Sequence, residues 1–381
     1  MKRVVVLGST GSVGINALKV IERFPDRFKV VGLTAYNNVR LLEKQIHEFK
    51  PTHAAVGEKG FRYLKNRMNG RKIKIGSAET DLEDFAVLRE ADIIVIAMGG
   101  SRALKPFLRA VQMGKTVATA NKEALVIAGD ILLKEAKKHG AVIIPIDSEQ
   151  SAIFQCLLGG QRGELKKVYL TASGGRFLRI PENQFDRLSL REVLKHPRWK
   201  MGRKITVDSA TLMNKGFEVI EAKRLFNLNV EDIEVVIHPE ALIHSMVEFK
   251  DGSILAQMGI TDMRLPIQYA LTYPERVESG LNRLNFFQLK KLTFEKPNYR
   301  KFPCLALALK AAKKGGTLPS VLNAADEEVV EAFLNGKIRF SQIYSIVEKV
   351  VEKHKIVNNP GLDQILAADR WAREEARILL K

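Results

Sequence analysis

The alternation of short β-branched runs with helical stretches across roughly the first 146 residues constrains this chain most. Residues 3–7, 29–34, 53–56, 91–98, 116–119 and 141–146 are candidate strands. Several are apolar on consecutive residues, as strands covered on both faces are, so the pattern predicts a parallel sheet wound between helices. The first run ends at Gly8-Ser9-Thr10-Gly11-Ser12-Val13-Gly14, and a helical run over 15–24 follows. Glycines there let backbone approach a pyrophosphate, and the helix N-terminus offers it unpaired N–H groups. The spacing is GxxGxxG, which a ligand-free βα turn shares, but its position at the head of a βαβ series favours a dinucleotide. An NAD site usually places a carboxylate at the end of the second strand. The stretch Thr34-Ala35-Tyr36-Asn37-Asn38-Val39-Arg40 has none, only two amides and an arginine, which favours NADP(H).

Beyond residue 146 the pattern changes. Strands shorten and partly alternate as far as Phe287; 246–249 and 254–258 read as a hairpin turning at Lys250-Asp251-Gly252-Ser253. Residues 204–207 read as a strand feeding a helix. After a polar stretch the remainder is helical, with stripes such as Ile343, Ile346, Val347, Val350 and Val351 at the 3.6 period. The expected class is α/β: a Rossmann-like doubly wound sheet at 1–146, a central α+β catalytic domain at 147–287, a linker at 288–300 and a C-terminal four-helix bundle at 301–381.

Composition removes other classes. Hydrophobic residues make up 46% and charged residues 27%, ordinary for a globular chain and wrong for a disordered one. No apolar run approaches the ~18 residues of a membrane helix. Val4–Leu7 is too short for a signal-peptide core, and a cytoplasmic protein without a membrane partner is expected. Cys156 and Cys304 lie far apart, which excludes a disulfide scaffold and a cysteine zinc site. The 61 Lys+Arg against 43 Asp+Glu give a net charge of +18. Basic pairs such as Lys137-Lys138 and Lys290-Lys291 are spread along the whole length without aromatic interleaving. That suits solvated faces and a field attracting anionic small molecules better than a nucleic-acid groove, so no nucleic acid is expected.

Several segments carry candidate chemistry. Ala120-Asn121-Lys122-Glu123-Ala124 follows a strand of the sheet, where Lys122 could meet a phosphate or polarise a carbonyl; a capped helix start with solvated charges is the other reading. In Asp147-Ser148-Glu149, alternate residues of an extended chain point the same way. Glu218 lies one helical turn after Asn214, with Lys215 beside them. The three carboxylates Asp147, Glu149 and Glu218 would make an all-oxygen site for Mg²⁺ or Mn²⁺, although Glu218 alone could be a surface acid paired with lysine. Thr171-Ala172-Ser173-Gly174-Gly175-Arg176-Phe177 runs from a strand into a second glycine turn able to cradle an anion. His196-Pro197-Arg198-Trp199-Lys200-Met201-Gly202 places one of two tryptophans in a segment bounded by Pro and Gly, which reads as a flap. His244 fits either a core residue or a partner of that flap.

Together, in this order, these segments closely resemble the 1-deoxy-D-xylulose 5-phosphate reductoisomerase family. The resemblance is carried by GSTGSVG (8–14), ANKEALV (120–126), PIDSEQSAIFQ (145–155), ASGGRF (172–177), HPRWKMGRKITVDSATLMNKGFEVIEA (196–222), HPEALIHSM (238–246), FPCLALA (302–308) and LNAADEEVV (322–330). It implies a homodimeric, NADPH-dependent enzyme of non-mevalonate isoprenoid synthesis with a phosphosugar substrate. The metal, Mg²⁺ or Mn²⁺ with Co²⁺ also admitted, would be held by Asp147, Glu149 and Glu218. The substrate phosphate would fall to Ser173, Ser209, Asn214 and Lys215, with His196 at that end. Lys122 and Ser148 would sit by the reacting oxygens, and Trp199 and Met201 on the flap. Cofactor contacts would fall on Thr10, Gly11, Ser12, Val13, Asn38, Asn121, Glu123 and Gly202.

Two departures stand out. Asn37 occupies a position where many members have lysine, which removes a partner for the 2′-phosphate and predicts a weaker preference for NADPH. Asp326 replaces a commoner Asn. Rival readings are a metal-free dehydrogenase of the semialdehyde type, which would leave the three acids idle, and a dinucleotide-sensing regulator that binds nucleic acid.

Overall fold

Valine, isoleucine and leucine fill the strands predicted first, and burial on both faces gives them their register. The computed structural model describes residues 1–195, 198–199 and 201–381. Its contacts divide the chain into two units. One comprises Met1–Ala124, Leu132–Ser151 and Asp262–Leu281; the other comprises Leu125–Ile131, Ala152–Thr261 and Asn282–Lys381.

The first unit runs β1 (Lys2–Leu7), α1 (Ser12–Glu22), β2 (Phe28–Ala35), α2 (Val39–Phe49), β3 (His53–Val56), α3 (Glu58–Arg67), β4 (Lys74–Ser77), α4 (Leu82–Ala86), β5 (Ile93–Ile96), α5 (Leu104–Gln112), β6 (Thr116–Thr119), the start of α6 (Lys122–His139) and β7 (Val142–Pro145). The chain then enters α7 (Ser148–Leu157). All seven strands are parallel, in the order β4-β3-β2-β1-β5-β6-β7. Val4, Val5, Val6 and Leu7 of the central strand are fully buried. The order turns back at β1, so the carboxyl ends of β1, β2 and β5 open onto the place where such sheets bind ligands. The reading from sequence lacks β4. That strand is short, carries Gly76 and a lysine, and lies at the sheet edge, where burial imposes no apolar run.

In the second unit β8 (Leu165–Ala172) is followed by α8 (Leu190–Val193), α9 (Arg203–Thr211), α10 (Met213–Leu225), β9 (Ile233–Ile237), β10 (Ile243–Phe249) and β11 (Ile254–Met258), in a sheet ordered β11-β10-β8-β9. The expected hairpin is β10–β11, antiparallel. Residues 204–207 are helical, not a strand. Lys-Ile-Thr-Val is β-prone in isolation, yet Thr206 and Val207 are buried on α9 among tertiary contacts that override propensity. The next helix, α11 (Arg264–Thr272), belongs to the first unit and packs on α1, β6 and β7. Four helices complete the second unit: α12 (Pro303–Lys314), α13 (Leu318–Leu334), α14 (Gln342–Lys353) and α15 (Leu362–Leu379). Their stripes share one core with α9, α10 and the smaller sheet.

Candidate active site

The glycine turn after β1 is built for close approach. Gly8 has φ +88°, and a Cβ on it would lie 2.9 Å from Met98 N; one on Gly14 would lie 2.3 Å from Gly8 O. Only glycine fits there, leaving a cradle that larger residues would fill. Thr10 and Gly11 form the turn, and Ser12 and Val13 open α1, whose first turn carries no acid to compete with an anion. Gly8 N–H donates to Thr34 Oγ1 (2.9 Å), tying the turn to the end of β2. Asn38 caps α2, its Oδ1 accepting from Leu41 N–H (3.2 Å). Asn121, 1% exposed, caps α6 through Ala124 N–H (2.8 Å). Its amide donates to Met98 O (3.1 Å), Gly100 O (3.0 Å) and Glu123 Oε2 (3.1 Å). This residue pins the loop after β5 to the start of α6, with Glu123 alongside.

The next residue carries charge into the same unit. Lys122 Nζ, buried, lies 2.9 Å from Asp147 Oδ2. Ser148 Oγ donates to Glu149 Oε2 at 2.5 Å. These acids do not alternate along extended chain as the sequence suggests. Ser151 N–H bonds Asp147 O (2.8 Å), so α7 has begun and Glu149 lies in its first turn.

The second unit gathers the remaining polar groups at two corners. After β8, Gly174 (φ +83°) and Gly175 (φ +65°) turn the chain past Ser173. A Cβ on Gly175 would lie 2.4 Å from Ser209 O, so this turn rests on the end of α9 and brings Ser173 and Ser209 to one corner. Leu212, at φ +59°, is the corner from α9 into α10; a branched side chain in that conformation is strained, as at many functional sites. From it α10 presents Asn214, Lys215 and Glu218. Asn214 Nδ2 donates to Glu218 Oε1 (2.5 Å), and Lys215 Nζ pairs with Glu218 Oε2. Lys215 is 4% and Glu218 1% exposed, so Glu218 is no solvated surface acid. Losing either partner would strand a buried charge, a cost of roughly 3–5 kcal/mol. Trp199 is half-buried, its ring 6.1 Å from that of buried His244, and Gly202 caps α9. Met201 is half-buried. His196, expected at the phosphate end, lies outside the described residues.

Comparison with known proteins decides the family. The model for 1-deoxy-D-xylulose 5-phosphate reductoisomerase matches residues 4–129, that for its C-terminal domain 143–226, and that for the DXP reductoisomerase C-terminal domain 258–375. The 1-deoxy-D-xylulose 5-phosphate reductoisomerase of Pelotomaculum thermopropionicum is 52% identical over 375 residues, 98% of this chain and 97% of its own. That of Thermodesulfovibrio yellowstonii is 49% identical, covering 99% of each. The chain belongs to the 1-deoxy-D-xylulose 5-phosphate reductoisomerase family. A crystal structure of DOX-P reductoisomerase in complex with NADPH, fosmidomycin and magnesium superposes with a TM-score of 0.94, at 39% identity over 100% of this chain and 98% of that one. The Zymomonas mobilis enzyme in complex with NADPH gives 0.92, at 40% identity over 100% and 99%.

Within the family fold, the cysteines argue against the semialdehyde-type rival. Both are buried, and burial, followed by the charges of Asp326 and Asp208, pushes the Cys304 thiol far up, so it offers no thiolate nucleophile. Sequence reasoning misses Lys204. Its Nζ lies 2.7 Å from both Asp208 Oδ2 and Asp326 Oδ2, which ties the first turn of α9 to α13. No motif signals it, because its partners come from distant helices.

Proposed function

We propose that this chain carries out the family reaction with the residues gathered at these corners. It is an NADPH- and divalent-metal-dependent reductoisomerase that rearranges and reduces 1-deoxy-D-xylulose 5-phosphate to 2-C-methyl-D-erythritol 4-phosphate, in non-mevalonate isoprenoid synthesis. The observation that carries the site assignment is the buried Lys215–Glu218 pair beside Asn214, at the strained corner that also holds Ser209.

Asp147, Glu149 and Glu218 hold the divalent cation. The donor set fits: three hard oxygens suit Mg²⁺ or Mn²⁺, and the Asp147 and Glu218 carboxylates already require a cationic partner, met by Lys122 and Lys215. The dinucleotide fits the cradle that a Cβ at Gly8 or Gly14 would fill. When bound, the cation supplies Lewis-acid polarisation of substrate oxygens and NADPH supplies hydride. The chain's own groups do the rest. Ser173, Ser209, Asn214 and Lys215 donate to the phosphate dianion. That phosphate is remote from the bonds that change, and its binding energy orients the reacting carbons. The Lys122 ammonium stabilises negative charge at the reacting oxygens and holds a proton there, with Ser148 alongside. Trp199 and Met201 cover the substrate and exclude water. Thr10 to Val13, Asn38, Asn121, Glu123 and Gly202 position the cofactor.

We assign nucleotide binding to 1–146, metal and substrate binding to 147–287, and the linker and bundle to 288–381, although Asp262–Leu281, with α11, packs in the first unit and Leu125–Ile131 in the second. Two buried cysteines, neither in a disulfide, support a reducing cytoplasmic setting. The homodimer is supported by β11, an edge strand whose Ile254 and Leu255 are 50% and 40% exposed.

The test is NADPH oxidation with 1-deoxy-D-xylulose 5-phosphate, with and without EDTA. Turnover should vanish on chelation and return with Mg²⁺ or Mn²⁺. Asp147→Asn, Glu149→Gln and Glu218→Gln should each lower kcat/KM at least ~10²-fold, since each removes a charge from the metal shell. Near-normal turnover of Glu218→Gln at limiting metal would refute the third ligand.

A further inference from the structure

We propose that Arg102 is this chain's recognition group for the 2′-phosphate of NADPH, held at the mouth of the nucleotide cradle by the ring of Tyr36. The inference rests on the NADPH reading above and assigns the selectivity that Asn37 leaves without a cationic partner. In the sheet β2 and β5 flank β1, so the residues just past their carboxyl ends are neighbours beyond the Gly8 turn. Tyr36 follows β2. Arg102 follows β5 in a short 3₁₀ turn, Ser101–Ala103, entered through Gly100 at φ +79°. The guanidinium carbon stands 4.5 Å from the centroid of the Tyr36 ring. Both side chains are exposed, Tyr36 by 45%. An arginine stacked on an aromatic face keeps its donor edges free for a planar, two-toothed grip on phosphate oxygens. Its loop is fixed in advance, because the Asn121 amide holds Met98 O and Gly100 O just before it.

Among the described residues no carboxylate forms an ion pair with Arg102. Glu79 lies near Tyr36 but is committed to the start of α3: both its oxygens accept from Glu58 N–H at 3.1 Å, and one accepts from Ser77 Oγ at 2.8 Å. The other cation of the β2 end is engaged. Arg40 lies over the Tyr63 ring at 4.4 Å and donates to its hydroxyl at 2.5 Å. Tyr63 in turn donates to Glu43, which Arg67 also holds, at 2.8 Å. One arginine therefore belongs to a closed network on α2 and α3, and the other stands just past β5 with no ion pair among the described residues.

The test is calorimetric binding to the full chain without metal or phosphosugar, using NADPH, NADH, 2′,5′-ADP and 5′-AMP. Arg102→Ala should weaken NADPH and 2′,5′-ADP about tenfold or more, as loss of a charge-assisted phosphate contact does, and leave NADH and 5′-AMP within twofold. Arg102→Lys should keep part of the preference, and Asn37→Lys placed on Arg102→Ala should restore it. Arg40→Ala should stay within twofold of wild type for every ligand. Equal losses for NADPH and NADH, or an Arg102→Ala that still prefers NADPH as wild type does, overturn the assignment of Arg102. A wild type that does not separate NADPH from NADH overturns the NADPH reading itself.

Discussion

At Asp326 one side-chain atom separates the carboxyl from an uncharged amide, and the structure gives that difference a consequence. Asp326, fully buried on α13, shares the Lys204 ammonium with buried Asp208; Glu327 adds further negative charge. Two acids therefore answer to one cation. Burial pushes the Asp326 carboxyl up, and the opposing pull of Lys204 does not undo it. The folded protein thus keeps a proton that the unfolded chain has lost. Stability falls as pH rises from the unfolded carboxyl range, near 3.9, through the raised folded one, and there is no penalty below that window. Asp326→Asn removes this titration. Its gain in Tm over wild type should be larger at pH 8 than at pH 5. Calorimetric melts at the two pH values decide it. A variant less stable than wild type at pH 8 would show that the ionised pair around Lys204 is net favourable.

Between elements, α10 and α12 pack closely beside Lys215 and Glu218. A Cβ on Gly216 would lie 2.2 Å from the Cβ of Ala308, far inside any real contact, so the Ala308 methyl takes the space that a side chain at 216 would need. Gly216 lies between Lys215 and the turn carrying Glu218, and the contact aims both. Gly216→Ala would add about 1 kcal/mol of helix propensity, but the overlap costs roughly 1–3 kcal/mol and must turn or lift α10. The clash wins because no flexible side-chain tip is present to yield. The expected outcome is a rise of tenfold or more in KM for the phosphosugar, with NADPH affinity within twofold. Ala308→Gly in the same chain should recover most of it. A normal KM in the single variant would show that this contact does not aim Lys215 and Glu218. None of this is legible along the chain. Periodicity exposes elements whose burial is regular, such as the β1 valines and the α14 stripe. It misses β4, whose edge position asks for no apolar run, and misreads 204–207, where tertiary burial overrules β-branched residues. The pairing of Lys215 with Glu218 shows in helical spacing, whereas the alternation expected of Asp147 and Glu149 fails because α7 has begun there. The pairings of Lys204 with Asp326, Arg102 with Tyr36 and Gly216 with Ala308 do not, because each joins residues that only the fold brings together.

For the whole molecule, charge and the exposed sheet edge act against each other. A net charge of +18 makes two copies repel, and the repulsion is cut short only where salt screens it, with a Debye length of ~8 Å at physiological ionic strength against ~30 Å at 0.01 M. The attraction is local: β11 is the outer strand of its sheet, offers unpaired backbone groups, and exposes Ile254 and Leu255. A homodimer joined through β11 should therefore tighten as salt rises towards physiological strength, the reverse of an assembly held by ion pairs. Ile254 is the residue to change, because its cross-strand neighbour on β10 is Glu248. Ile254→Lys lies opposite Glu248, whose carboxylate already holds Tyr169 and Lys166, and the exposed face of the strand gains a cation that a second copy must bury. Sedimentation equilibrium should give a dimer for wild type at 0.15 M salt, a weaker one at 0.01 M, and a dissociation constant at least tenfold higher for Ile254→Lys, with Tm of the variant unchanged within ~2 °C when measured at dimer-free dilution. Wild type sedimenting as a monomer at micromolar concentration would end the dimer proposal. An Ile254→Lys chain that dimerises as tightly as wild type would move the interface away from β11, and dimerisation that strengthens at low salt would show that complementary charge, not apolar strand pairing, holds the two copies together.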